Sequence, residues 1–203
     1  MPKVFVVGPD YGISRMFMQL GWSVARDPEE ADLIQFTGGE DVDPSYYGEA
    51  KHPATHSNPK RDAAEAAVFN QYKGQIPMAG ICRGAQFLNV MNGGSLWQHV
   101  TNHATHGTHE AFCRLSELPV QVTSTHHQMM RPASSGKILM VASICERKQG
   151  PDYEEDGFLN PDIEAVFYPE TTSLCYQPHP EFVGVNHECC ITYFKYIDRL
   201  IIS

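Results

Sequence analysis

No stretch of this 203-residue sequence approaches the roughly 20 consecutive apolar residues that cross a bilayer, so a membrane partner is not expected. The first ten residues, MPKVFVVGPD, lack the long apolar run and small-residue cleavage site of a secretory signal. There is no CxxC pair. The six cysteines stand at positions 82, 113, 145, 175, 189 and 190, which is not a disulfide framework, and a chain of this size does not need one. Basic charge is also scarce. A formal net charge of −9 argues against a nucleic-acid partner, because phosphate binding needs a surplus of Lys and Arg. No repeat, linker or low-complexity block interrupts the chain. The expectation is a single domain over residues 1–203 in a reducing, cytoplasmic compartment.

What is present is an ordinary globular balance, 42% hydrophobic and 19% charged, enough to build a core. Strands are expected at Val4–Val7, Trp22–Val24, Asp32–Phe36 and Ile76–Ile81. Helices are expected over residues 12–20, Lys60–Lys73 and Arg83–Met91, with Gly74 and the Asn92-Gly93-Gly94 run as stops. This alternation predicts a flavodoxin-like α/β fold, a doubly wound and mostly parallel sheet with helices on both faces. After residue 94 short β-like runs follow at Val120–Thr123, Ile138–Ser143, Ala165–Tyr168 and Ser173–Gln177, which suit a few antiparallel additions. A last helix is expected over His187–Ile201.

The stretch GICRGAQ, residues 80–86, places Cys82 between a strand and a helix. Ligands of doubly wound sheets bind beyond the carboxyl ends of the strands, and Cys82 falls at that edge. A strand-to-helix turn this tight needs small neighbours, hence Gly80 and Gly84, and it pushes one side chain into the open. The helix N-terminus favours a negative group there, and Arg83 adds positive charge nearby. Standing alone, such a cysteine reads as a small buried residue. It does not stand alone, because QPHPE (177–181) follows another apolar run. His179 suits the base that takes a thiol proton, and Glu181 the carboxylate that orients it. In FTGG (36–39) a strand ends at Gly38 and Gly39, whose N–H groups, with that of Arg83, could hold an oxyanion.

Taken together, GICRGAQ, QPHPE and FTGG resemble the class I glutamine amidotransferase-like superfamily. GGEDVDPSYYGE (38–49), RDAAE (61–65), GICRGAQFLNVMNGGSLWQ (80–98), THHQ (125–128) and EAVFYPE (164–170) bring it nearest to the γ-glutamyl-γ-aminobutyrate hydrolase-like branch, grouped with the C26 peptidases. The resemblance implies a Cys82–His179–Glu181 triad and an oxyanion hole from the backbone of Gly39 and Arg83. Gly38, Gln86, His126, His127 and Gln128 would meet the glutamyl part of the substrate. The implied reaction is hydrolysis of a γ-glutamyl amide, or of glutamine, through a thioester, with no cofactor. Two other readings stay open: a glutaminase subunit passing ammonia to a separate synthetase chain, and a non-catalytic binding protein on the same fold. Homo-oligomerisation is left open as well.

Other groupings carry less. His103, His106 and His109 suggest a metal, but an i, i+3, i+6 row leaves one helical face and Gly107 breaks the helix, so they read as a polar loop lining the cleft. Asp41 and Asp43 lack the rest of a calcium loop. Glu154–Asp156 reads as a solvated loop within a variable insertion (151–162). Of Cys189 and Cys190, one is expected to pack inward.

Overall fold

The computed structural model describes residues 1–157 and 159–202. In chain order the first half contains β1 (Lys3–Val7), α1 (Ile13–Gln19), β2 (Ser23–Val24), β3 (Leu33–Phe36), α2 (Pro59–Tyr72), β4 (Met78–Ile81) and α3 (Arg83–Met91). The second half is mostly β-structure. It contains β5 (Ser95–Trp97), β6 (His99–Val100), β7 (Ala104–Cys113), β8 (Leu118–Thr125), β9 (Met129–Arg131) and β10 (Lys137–Ala142). Then come β11 (Arg147–Gly150), β12 (Tyr153–Asp156), β13 (Asp162–Tyr168), β14 (Ser173–Tyr176) and helix α4 (Glu188–Ile197).

A nine-stranded sheet in the order β2-β1-β3-β4-β14-β13-β10-β7-β8 organises the molecule. From β2 to β14 every pairing is parallel; from β14 to β8 every pairing is antiparallel. Every residue of β3, β4, β13 and β14 is buried, as expected of strands covered on both faces. One core packs α1 and α4 on the sheet. Within it Phe17 makes edge-on contacts with Trp22, Tyr193 and Phe194. The other packs α2 and α3 on the opposite face through Phe36, Phe69, Phe87 and Leu88. This is the doubly wound, flavodoxin-like α/β arrangement.

Local chemistry sets the helix ends that matter for the site. The Asn58 side chain accepts the Arg61 N–H, and Pro59 at the first position starts α2. The β4–α3 turn is closed by contact between glycines. A Cβ on Gly80 would collide with the Gly84 carbonyl group, and one on Gly84 with the Phe36 carbonyl. Strand β4 and helix α3 can approach this closely only without those side chains, so Cys82 is held at the carboxyl edge of the sheet.

Several expectations need correction. Residues 104–113 form β7, a long strand of the main sheet, rather than a polar loop lining the cleft. Glu154–Asp156 belong to β12, paired with β11, rather than to a solvated loop. Cys189 and Cys190 are both fully buried, because both lie where the first turn of α4 meets the core. No helix among the described residues is long and apolar enough to cross a membrane.

Candidate active site

Three parallel strands deliver the expected residues to one edge. Thr37-Gly38-Gly39 follow β3, Cys82 follows β4, and Gln177 to Glu181 follow β14. Cys82 is the N-cap of α3 and has φ 51° and ψ −110°, a conformation that side-chain-bearing residues rarely adopt. Its backbone is fixed on both sides: its N–H donates to the Tyr176 carbonyl (2.9 Å), and its carbonyl accepts the Gln86 N–H (3.0 Å). Strain of this kind persists only where the surroundings over-determine it.

His179 is held from four directions. Its Nδ1 lies 2.6 Å from Glu181 Oε1, so the carboxylate accepts the Nδ1 proton and leaves Nε2 as the working nitrogen. Its backbone N–H donates to Thr123 Oγ1 at 2.6 Å. The Phe182 ring stacks on the imidazole, with centroids 4.2 Å apart and planes 1° from parallel. Gly38 packs against it, and a Cβ there would lie 2.9 Å from His179 Cε1. Burial works against the charged imidazole. Interactions with Cys82 and Glu181 outweigh it and push His179 up to about 10.

A cleft beside the thiol is lined by Gly39, Cys82, Arg83, Gln86, His126, His127 and Gln128, among others. Seven of the ten expected site residues therefore share one space; His179 reaches it through its hydrogen bond with Cys82, Gly38 packs on that imidazole, and Glu181 stands behind it. Gln86 Nε2 donates to the Gln128 carbonyl and to Gln177 Oε1, both at 3.1 Å. His126 and His127 point in different directions. His126 donates from Nδ1 to the Gln128 carbonyl (2.9 Å) and is buried; burial pushes it down to about 3. His127 pairs with Asp41 Oδ1 at 3.0 Å on the rim, and that hydrogen bond raises its pKa. The Gln128 side chain is buried, donating to Thr55 Oγ1 (3.1 Å) and the Gln98 carbonyl (3.3 Å).

Arg83 differs from the sequence reading. Its guanidinium does not sit beside the thiol. It is buried against Asp62 and Glu65 of α2 and stacks over Phe87. Burial, and the positive charge of Arg61, lower its pKa to about 10. Its charge is spent docking α3 on α2, which leaves its backbone at the cleft.

Sequence reasoning missed Arg61. Its Nη2 donates to the Thr37 carbonyl (3.1 Å) and the Gly38 carbonyl (2.8 Å), while Nη1 meets Glu40 and Nε meets Glu65. It clamps the glycine turn in which Gly39 has φ 133°. The i, i+4 pairing of Arg61 with Glu65 within RDAAE was the available signal. Phe182 and Thr123 carried none.

The peptidase C26 family model matches residues 24–181. A protein of Mycobacterium tuberculosis named "Putative glutamine amidotransferase Rv2859c" is 35% identical over 182 residues, 76% of this chain and 54% of that protein. The chain thus spans about half the length of that relative. Among solved structures, a "putative gmp synthase subunit a protein" from Thermoplasma acidophilum superposes with a TM-score of 0.62 at 16% identity, covering 98% of each chain. A glutamine amidotransferase from Thermotoga maritima superposes with a TM-score of 0.61 at 18% identity, covering 97% of this chain and 80% of that one. At these identities the solved structures speak for the fold alone. Family match, relative and fold agree: the chain belongs to the peptidase C26 family of the class I glutamine amidotransferase-like superfamily.

Proposed function

We propose that this protein is a free-standing cysteine hydrolase of γ-glutamyl amides, acting through a Cys82–His179–Glu181 triad in a reducing, cytoplasmic setting. One observation carries the reading. A thiol on a strained strand-to-helix turn faces an imidazole whose other nitrogen is fixed by a buried carboxylate at 2.6 Å.

In this mechanism the Cys82 thiolate attacks the γ-carbonyl carbon and forms a C–S bond. Negative charge moves to the carbonyl oxygen, where the backbone N–H groups of Gly39 and Arg83 receive it. Collapse breaks the C–N bond, and the His179 imidazolium gives its proton to the departing amine. His179, now neutral, takes a proton from water. The hydroxide adds to the thioester, glutamate leaves, and the thiolate–imidazolium pair is restored. Gln86 and the His126–Gln128 segment would hold the glutamyl end. No cofactor enters these steps.

The test is a release assay on glutamine and a panel of γ-glutamyl amines, with Cys82→Ala as the blank. Glutamate released from a γ-glutamyl amine by the chain alone is expected. Release only from glutamine, and only after a synthetase chain is added, would instead make it a glutaminase subunit. No release from any donor, with Cys82 unreactive toward a γ-glutamyl-like electrophile, would favour a binding protein.

Two further results are expected. Gly38→Ala places a methyl group against the base, so kcat should fall on the order of 100-fold, as displacements near 1 Å do. A kcat within threefold of wild type would remove Gly38 from the account. The second concerns pH. A folded His179 value above its ordinary 6.5 means that the stabilisation from the charged imidazole is fully present below 6.5 and lost as pH rises through about 10. The alkaline limb of kcat/KM should therefore lie well above pH 7, and Glu181→Gln should move it downward. A wild-type limb near 7 would contradict the ion pair.

A further inference from the structure

Beyond the triad, three imidazoles converge on one buried carboxylate. Glu164 Oε1, on β13, lies 3.0 Å from His109 Nε2, 3.5 Å from His103 Nδ1 and 3.9 Å from His126 Nε2. Glu164 and His103 are fully buried; His126 and His109 are 3% and 8% exposed.

Hydrogen bonding fixes the three tautomers. His103 Nε2 lies 3.1 Å from Asp162 Oδ2. A carboxylate only accepts, so that nitrogen carries the proton and Nδ1 presents a lone pair. His126 Nδ1 donates to the Gln128 carbonyl, so its Nε2 also presents a lone pair. Neither lone pair, nor Glu164 Oε2, has a hydrogen-bond partner among the described residues. By the same argument His109 Nε2 donates to Glu164 Oε1, so a single proton serves this face of the carboxylate, while two lone pairs and Glu164 Oε2 face one another away from water; a metal would displace that proton and satisfy all of them. Lys148 does not satisfy them. Its Nζ is held by Asp162 Oδ1 at 3.0 Å and by the Asn160 and Pro161 carbonyls at 2.5 and 3.1 Å.

We propose that His103, His109, His126 and Glu164 form a binding site for a divalent transition metal, zinc before others. Ligands about 2.0–2.1 Å from a tetrahedral zinc lie about 3.3 Å from one another. The three separations around Glu164 Oε1 bracket that figure, and the His103, His109 and Glu164 donors all lie within 4.8 Å of one another; His126 stands outside that trio, 3.9 Å from Glu164 Oε1, and closes the tetrahedron by a shift of its ring. The bonds from His103 to Asp162 and from His126 to the Gln128 carbonyl are of the kind that orient metal-bound imidazoles. A donor set rich in imidazole and free of thiolate suits zinc. Four protein ligands leave no open position, so the ion's role is structural. It ties the start of β7 and the turn after β8 to β13, the strand paired with β14, which leads into His179 and Glu181.

The test is metal analysis of the purified chain, then unfolding in chelator and refolding with zinc or cobalt. About one zinc per chain is expected. It should persist in Cys82→Ala, and in His99→Gln, which alters the stacked histidines His52 and His99. It should fall at least tenfold in His103→Gln and Glu164→Gln. Cobalt should give the intense visible bands of tetrahedral coordination without a thiolate charge-transfer band. That spectrum, taken on wild-type protein, decides the matter if the ligand variants do not fold. Under a tenth of an equivalent in folded protein, with a melting temperature indifferent to zinc, would overturn the proposal and leave a proton as the cation. Loss of metal in His99→Gln or Cys82→Ala, or an octahedral or thiolate cobalt spectrum, would overturn it equally.

Discussion

Replacing Cys82 by alanine should remove glutamate release by about 10⁴- to 10⁶-fold while leaving the fold intact, because every later step of the proposed mechanism depends on the bond this sulfur makes. The side chain is 8% exposed and small, so its loss opens little space in the core. The backbone adds a second, separable effect. At φ 51° and ψ −110° any side-chain-bearing residue is strained by about 1–3 kcal/mol, and alanine keeps that strain. Glycine relieves it, against about 0.5–1 kcal/mol of added freedom in the unfolded chain. Cys82→Gly should therefore be as inactive as Cys82→Ala yet melt at a higher temperature. Thermal melts of the two variants, beside the release assay, check both halves. A Cys82→Ala protein keeping more than about one hundredth of wild-type release would sink the nucleophile assignment. A Cys82→Gly protein melting below Cys82→Ala would show that the turn stores no strain.

The largest stability effect is expected at Arg83. Its guanidinium is 1% exposed and neutralises Asp62 and Glu65, which are themselves buried. Truncation to methionine leaves those carboxylates in the interior. Breaking a buried pair from one side costs about 3–5 kcal/mol. Glu65 keeps Arg61 and Asp62 keeps the Asp43 N–H, so the lower end of that range is the better figure. In a chain of this size the drop in Tm should be on the order of 10 °C. Burial raises the pKa of Asp62 and lowers that of Arg83, the directions expected when desolvation outweighs attraction. Removing all three charges together, as Arg83→Met with Asp62→Asn and Glu65→Gln, should therefore recover most of the loss. Equal instability of the single and triple variants would mean that packing, rather than unpaired charge, is what Arg83 supplies. On the proposed mechanism the effect reaches the chemistry, because this network docks α3 on α2 and so sets the position of the Arg83 backbone N–H.

What could be read from the sequence was the part whose chemistry is local. Gly80, Cys82 and Gly84 declare a tight turn by their spacing, and the structure gives the cause in two backbone contacts that no Cβ would survive. The apolar runs leading to FTGG, GICRG and QPHPE marked the strands β3, β4 and β14 that end at the candidate site, because buried parallel strands are continuously hydrophobic. The misreadings arose where a distant partner decides. Arg83 sits beside Cys82 in sequence, and nothing local says that α2 offers it two carboxylates. His103 to His109 were tested against a helical period, but β7 has a bulge between Ala104 and Gly107 and His106 lies at φ 55°. The strand then turns His109 inward, and His103 is buried with it, toward a carboxylate over fifty positions away. The acidic run Glu154–Asp156 is solvated as its charge suggests, but it is a strand and not a loop, because β12 needs only its backbone to join β11.

The most direct test of the central claim is intact-protein mass spectrometry of wild-type protein, quenched in acid while it turns over a γ-glutamyl donor. The expected spectrum shows a fraction of the chains heavier by one glutamyl group, mapped by digestion to Cys82, formed and lost at rates that account for glutamate release. Glutamate release with no adduct on Cys82, or the same adduct in Cys82→Ala, would contradict a thioester mechanism at this site.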